Sequence, residues 1–399
     1  MKLLFAALAA CLLFVTATAQ PQVKVPVVLH DLEYLGVPAD IVLAEFAKAA
    51  NLELDLGREP PDMAAPVWLS AKQVDRGRAA HLLSVASGLF VRVAGKRLVV
   101  REEERPGAHQ ATKGYDVSVL CGRFVDYINQ YGEPERKLSP GQERQKATAA
   151  EHIAFVLEQM LREIAGEYEE AAVVGDRVLF AADLEIQALI AEVLQLMITP
   201  GGGDSAYLKA ALAQAGALRD KQGESEADER PLASVIAAIC KAAQVDFVLS
   251  APFAQQAHDE HIEFSFEGSH EDQLSKVLEY FAADAAVGFA HGVVHIGYPP
   301  MYRGGGVRVY DVADLLKKLD TAYQRQRTQP NRQDGFDGGL RDHGGVDVVT
   351  IALETQLDRQ GHDARVLSCG ARVMIIGAPA ACEAATVVLK EMGWEPQSE

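Results

Sequence analysis

Val37-Pro38-Ala39-Asp40-Ile41-Val42-Leu43-Ala44-Glu45-Phe46-Ala47-Lys48-Ala49-Ala50-Asn51-Leu52-Glu53-Leu54-Asp55-Leu56 is the stretch whose reading decides the fold. Pro38 opens a helix at a position where a missing N–H costs nothing. Leu43, Phe46, Ala47 and Ala50 then fall on one apolar face. From Leu52 to Leu56 apolar and acidic residues alternate strictly, which is the period of a half-buried strand. A helix running straight into a strand sets the class as α+β. Outward from it, Val25 to Leu29 reads as a short apolar strand and Val67-Trp68-Leu69 starts another. Ala79, Leu82, Leu83 and Ala86 make a second amphipathic helix. Leu89 to Val93 and Leu98 to Arg101 close as a hairpin over Ala94-Gly95-Lys96. These elements form a module A over residues 24–104, in the order βαββαββ.

The pattern returns, and internal repetition outweighs any single element. Ala49 to Leu54 reappears as Ala242-Ala243-Gln244-Val245-Asp246-Phe247, 193 residues on. Leu98-Val99-Val100 matches Val293-Val294-His295, Tyr115-Asp116 matches Tyr310-Asp311, and Val178-Leu179-Phe180 matches Val373-Met374-Ile375, each 195 residues on. The reading is a tandem duplication: A (24–104), B (112–199), a linker (200–230), A′ (231–299) and B′ (305–394). Module A′ shows no first strand; the acidic stretch Glu224 to Arg230 stands in its place. Module B reads as β-α-β-β-α. Its first strand runs through Tyr115 and its polar stretch covers Gly132 to Lys146. Its helices carry Ile153, Val156, Leu157, Met160, Leu161 and Ile164, then Ile186 to Met197. In the linker, Ala206 to Leu218 reads as a free-standing helix because its apolar content is mostly alanine. Inside B′, residues 324–345 read as a polar, mobile loop bearing Arg325, Arg327 and Arg332.

A chain of 399 residues leaves room for two to four domains. A formal net charge of −18 argues against nucleic acid and against an anionic membrane surface as partner. Met1-Lys2, the apolar run Leu3 to Val15 and Ala17-Thr18-Ala19 read as a secretory signal over residues 1–19. Leu8-Ala9-Ala10-Cys11 supplies a rival lipoprotein box. No later run approaches the ~18 consecutive apolar residues of a span, so no transmembrane region is expected in the mature chain. Four cysteines remain: Cys121, Cys240, Cys369 and Cys382. None forms a C-x-x-C pair, and the three possible disulfide pairings stay open.

These residues carry a resemblance. The Pro-opened helix and alternating strand of Val37 to Leu56, with the second helix and the hairpin ending at Leu98-Val99-Val100, resemble the short N-terminal domain of secretins and TonB-dependent receptors. Modules B and B′ resemble the KH-like ring-building domain that follows it in secretins. The resemblance implies a non-enzymatic, periplasmic or outer-membrane-associated chain that self-associates or docks envelope proteins. Secretins continue into a membrane β-barrel, and no such strand pattern follows here.

Reactive chemistry finds little footing. His258-Asp259-Glu260-His261 with His270 holds metal-ligand types, yet reads equally as a polar loop, a strand start and a helix start. His291 and His295 are spaced to share one strand face. Asp334-Gly335-Phe336-Asp337-Gly338 lacks the full calcium-loop pattern. No nucleophile elbow, P-loop, zinc-protease or dinucleotide motif occurs. The expectation is no cofactor, no resident metal and no catalytic set. A metal- or small-ligand-binding protein is the alternative and an envelope hydrolase a more distant one. Partner contacts are assigned to Tyr115, Asp116, Tyr310, Asp311, Arg325, Arg327 and Arg332.

Overall fold

In the computed structural model the described residues are 28–58, 60–102, 111–131, 142–165, 171–182, 184–225, 229–298, 306–327 and 345–396. Among them the chain is mixed α+β, with twelve helices and several small sheets. None of these helices is long and apolar enough to cross a membrane. The signal over residues 1–19 and Arg332 lie outside the described residues.

The A segment runs β1 (His30–Pro38), α1 (Ala39–Ala49), β2 (Glu53–Asp55), β3 (Pro66–Val74), α2 (Arg76–Ser87), β4 (Phe90–Ala94) and β5 (Arg97–Arg101). Pro38 is the N-cap of α1 and offers no side-chain acceptor. The orphan N–H groups of Ala39 and Asp40 bond instead to the carbonyls of Ala65 and Met63, both at 3.1 Å. At the far end Asn51 turns the chain with φ 53°. The A′ segment runs β10 (Gln222–Ser225), β11 (Glu229–Pro231), α7 (Leu232–Ala243), β12 (Phe247–Leu249), α8 (Ala251–Asp259), β13 (His261–Glu263), β14 (Phe266–Ser269), α9 (His270–Phe281), β15 (Ala286–Ala290) and β16 (Val293–Gly297). Here Pro231 is the N-cap, and Gln244 closes α7 with φ 59°.

The two segments are joined by one sheet, ordered β1-β3-β12-β16-β15. β3 meets β12 antiparallel, Ser70 opposite Phe247 and Leu69 opposite Val248. Successive strand residues point to opposite faces. So Val67, Leu69 and Ala71 enter the core under α1 and α2, with Val248 and Val293. Trp68 enters the other core, with Phe247, Leu249 and the helices of A′.

The B segment runs β6 (Ala111–Asp116), α3 (Ser118–Tyr131), α4 (Gln142–Ala165), β7 (Ala172–Val174), β8 (Arg177–Ala182) and α5 (Leu184–Ile198). The B′ segment runs β17 (Val307–Asp311), α10 (Ala313–Arg327), α11 (Val346–Arg359), β18 (Ala364–Cys369), β19 (Arg372–Gly377) and α12 (Pro379–Glu391). Between B and A′ lie β9 (Gly202–Asp204) and α6 (Ala206–Asp220). The sheets are β6-β8-β7 and β18-β19-β17-β9. One face of the B′ sheet, through Val307, Val309, Leu367, Cys369, Met374 and Ile376, shares the core of α4 and α5. Its other face, through Tyr310, Val366, Val373 and Ile375, packs on α10, α11 and α12. Covered on both sides, β19 is apolar at every central position, Val373 to Ile376.

Several expectations differ from this. The first strand of A starts at His30, not within 25–29; Val28 and Leu29 are exposed and precede it, and residues 25–27 lie outside the described residues. A′ does have a counterpart to that strand, split into β10 and β11, which pair with β14 and β13. Both B and B′ insert an extra helix, so their order is β-α-α-β-β-α. In B it is α3, whose Leu120 and Cys121 reach the core. Helix α6 is not free-standing. Ser205 caps it, and Leu208, Ala211 and Leu218 are buried, because alanine on a helix face lets neighbours approach closely. The expected loop at 324–345 begins inside α10, which ends at Arg327, and residues 328–344 lie outside the described residues.

Candidate interaction edge

The Tyr-Asp pairs end β6 and β17 and make corresponding backbone contacts 195 residues apart. Tyr115 donates its hydroxyl to the Gln187 carbonyl at 2.8 Å, and Tyr310 to the Cys382 carbonyl at 2.9 Å. Burial pushes both phenols up to about 12. Asp116 accepts from the Ser118 N–H at 3.0 Å, and Asp311 from the Ala313 N–H at 3.1 Å, each capping the helix that follows. Hydrogen bonding to Ser118 holds the Asp116 carboxyl below its ordinary range. Asp311 also pairs with Arg372 at 3.0 Å. The four side chains are thus engaged inside the chain.

The strand before each pair is where the two segments differ. β17 has neighbours on both edges, β19 and β9. Along β9, Asp204, Gly203 and Gly202 stand opposite Arg308, Val309 and Tyr310, antiparallel. Ser205 donates to the Val307 carbonyl at 2.8 Å and accepts from the Val307 N–H at 3.0 Å. Gly202 has φ 79°, and a Cβ there would lie 2.0 Å from the Val309 carbonyl oxygen, so only glycine fits. Arg308 grips Asp204 through two nitrogens, Nη2 to Oδ2 at 2.8 Å and Nε to Oδ1. A third guanidinium nitrogen, Nη1, reaches the Cys382 carbonyl and Thr386. Burial opposes the Arg308 charge, and its interactions with Asp204 and Tyr310 together more than offset it.

Among the described residues β6 is paired with β8 alone. Its register with β8, Tyr115 opposite Val178 and Asp116 opposite Arg177, repeats that of β17 with β19. Lys113 therefore stands where Arg308 stands, and Thr112 and Gly114 stand where Val307 and Val309 face β9. Thr112, Lys113 and Gly114 are exposed. The Lys113 ammonium lies 5.1 Å above the Tyr115 ring. Lys113, Arg308, Gly202 and Asp204 were not among the residues singled out from sequence. The available signal was a basic residue two places before Tyr-Asp in both segments.

The histidines do not converge on a metal site. Among the described residues no group of three His, Cys, Asp or Glu side chains could hold an ion. His258 ends α8 with its ring 6.0 Å from that of Trp68. His261 starts β13 and is exposed. His270 begins α9 and is buried, its Nδ1 3.4 Å from Gln273 Oε1. His291 lies in the β15–β16 turn, not on the strand, and stacks on His81 at 5.0 Å between ring centres. His295 is buried on β16 with both ring nitrogens unpartnered. Arg325 and Arg327 belong to the last turn of α10. Compared with known proteins, the chain matches no family model, no curated protein and no solved structure.

Proposed function

We propose that this is an exported, non-enzymatic scaffold that binds other proteins through two copies of a secretin-like domain pair. The copies are A with B and A′ with B′, and the chain acts in the periplasm or beside the outer membrane. The observation carrying this reading is that its segments already associate as protein partners do. A meets A′ edge to edge through β3 and β12, and B covers a sheet face of B′. Such contacts are the currency of strand addition between chains. The repeated hydrogen bonds at a spacing of 195 residues support the duplication. So does the structural use of the Tyr-Asp pairs, whose phenols are buried and whose carboxylates cap the helices that follow.

The test is the mass of residues 20–399 by size-exclusion chromatography with light scattering over a wide concentration range, together with crosslinking in envelopes of the producing cell. A discrete oligomer, or a single crosslinked partner, is expected. A monomer at every concentration with no crosslinked product would refute the reading.

A further inference from the structure

We infer that the open edge of β6 docks an extended segment of a partner protein. The segment is glycine-containing and carries an aspartate or glutamate opposite Lys113. This deepens the scaffold reading and rests on it. The chain supplies its own template for the complex. In B′ the equivalent edge is filled by Gly202-Gly203-Asp204, and each feature of that filling has a counterpart on β6. The outward N–H and C=O groups of Val307 and Val309 correspond to those of Thr112 and Gly114, which are exposed. The cation that holds Asp204 is Arg308, and its counterpart is Lys113. The residue opposite Tyr310 is glycine because a Cβ would strike the neighbouring carbonyl; a residue docked opposite Tyr115 in the same register would meet the same constraint.

An edge strand of this kind is a template for pairing unless something covers it. Charge selects the occupant. Lys113 asks for an acid, and its replacement of Arg308 turns a forked grip into a point charge. A second copy of this chain is not the occupant, since its Gly202–Asp204 segment is held against its own β17.

The experiment uses the full mature chain and a fluorescein-labelled peptide of sequence Thr199-Pro200-Gly201-Gly202-Gly203-Asp204-Ser205-Ala206, followed by anisotropy at low salt. Saturable binding is expected. Lys113→Glu should weaken it about five- to tenfold, and a peptide with Asp204→Lys should regain that loss on the Lys113→Glu chain. Thr112→Pro, which deletes the N–H equivalent to the outward one of Val307, should abolish binding while circular dichroism stays unchanged. Equal binding by wild type and Lys113→Glu, or no saturation up to millimolar chain, would overturn the inference. If the peptide fails while the wild-type chain still oligomerises or crosslinks a partner, only the β6 edge is wrong. If both fail, the scaffold reading falls with it.

Discussion

Acidification should loosen the joint between A and A′, and His295 is the group that sets how much. Its side chain is 3% exposed and neither ring nitrogen has a partner. Burial first, then the nearby His291, pushes its pKa down to about 4, against 6.5 for a free imidazole. Between those values the unfolded chain binds a proton that the folded chain refuses. Stability from this group is therefore complete above pH 6.5, falls as pH drops toward 4, and changes no further below that. The full gap corresponds to about 3 kcal/mol, of which about 2 kcal/mol is lost by pH 5. Urea unfolding followed by tryptophan fluorescence at pH 7.5 and pH 5 measures it, Trp68 lying in the adjoining core. His295→Leu should remove about 2 kcal/mol of the pH dependence. His30 and His152, whose pKa values burial also lowers, contribute to both chains alike and cancel in the difference. Equal losses in wild type and variant would refute the account of His295.

Three further outcomes follow from contacts described above. Trp68→Ala should cost about 3–5 kcal/mol, although Trp68 belongs to β3, because the indole fills the core of A′; a cost below about 1 kcal/mol in urea titration would contradict that placement. Tyr115→Phe and Tyr310→Phe should each cost about 0.5–1.5 kcal/mol, since each hydroxyl donates to the corresponding carbonyl; a melting shift within error of zero in either variant would contradict that role. Refolding with oxidised glutathione should join Cys121 to Cys369 and no other pair. The two share one core, and a Cβ on Gly370 would lie 3.6 Å from the Phe124 Cα, one turn past Cys121. Cys240 and Cys382 occupy separate cores, so a peptide map showing either of them bridged would be the contrary result.

What could be read from sequence was whatever an element's own period reveals. Helix α1, strand β2 and the hairpin β4–β5 stood out because their apolar residues repeat at 3.6 or 2. Strands β10 and β11 were invisible because Gln222-Gly223-Glu224-Ser225 and Glu229-Arg230-Pro231 have no such pattern; their pairing to β14 and β13 makes them strands. Helix α3 was missed because Gly122, Val119 and Phe124 weaken a helical signal that burial of Leu120 and Cys121 restores. The β6 edge was missed for a different reason. Whether a strand edge is covered depends on a remote segment, Asp204 and its partner Arg308 being 104 residues apart. Periodicity carries no information at that distance.

The way the segments interlace has a consequence for how the chain is made. A meets A′, and B meets B′, so each partner in a pair is synthesised with another segment between. When residues up to Ile198 have emerged, β3 still offers its edge and α4 and α5 still offer an apolar face. No described residue of the first half covers them. Domains that fold as they emerge are usually protected from such waiting. Here the contacts of greatest sequence separation must form last and slowly. The export proposed above, if in an unfolded state, would suit such a topology, because both halves would arrive before either must close. A gene truncated after the first half would yield a chain with an unpaired edge and a bare core face, prone to aggregate rather than to work at half strength.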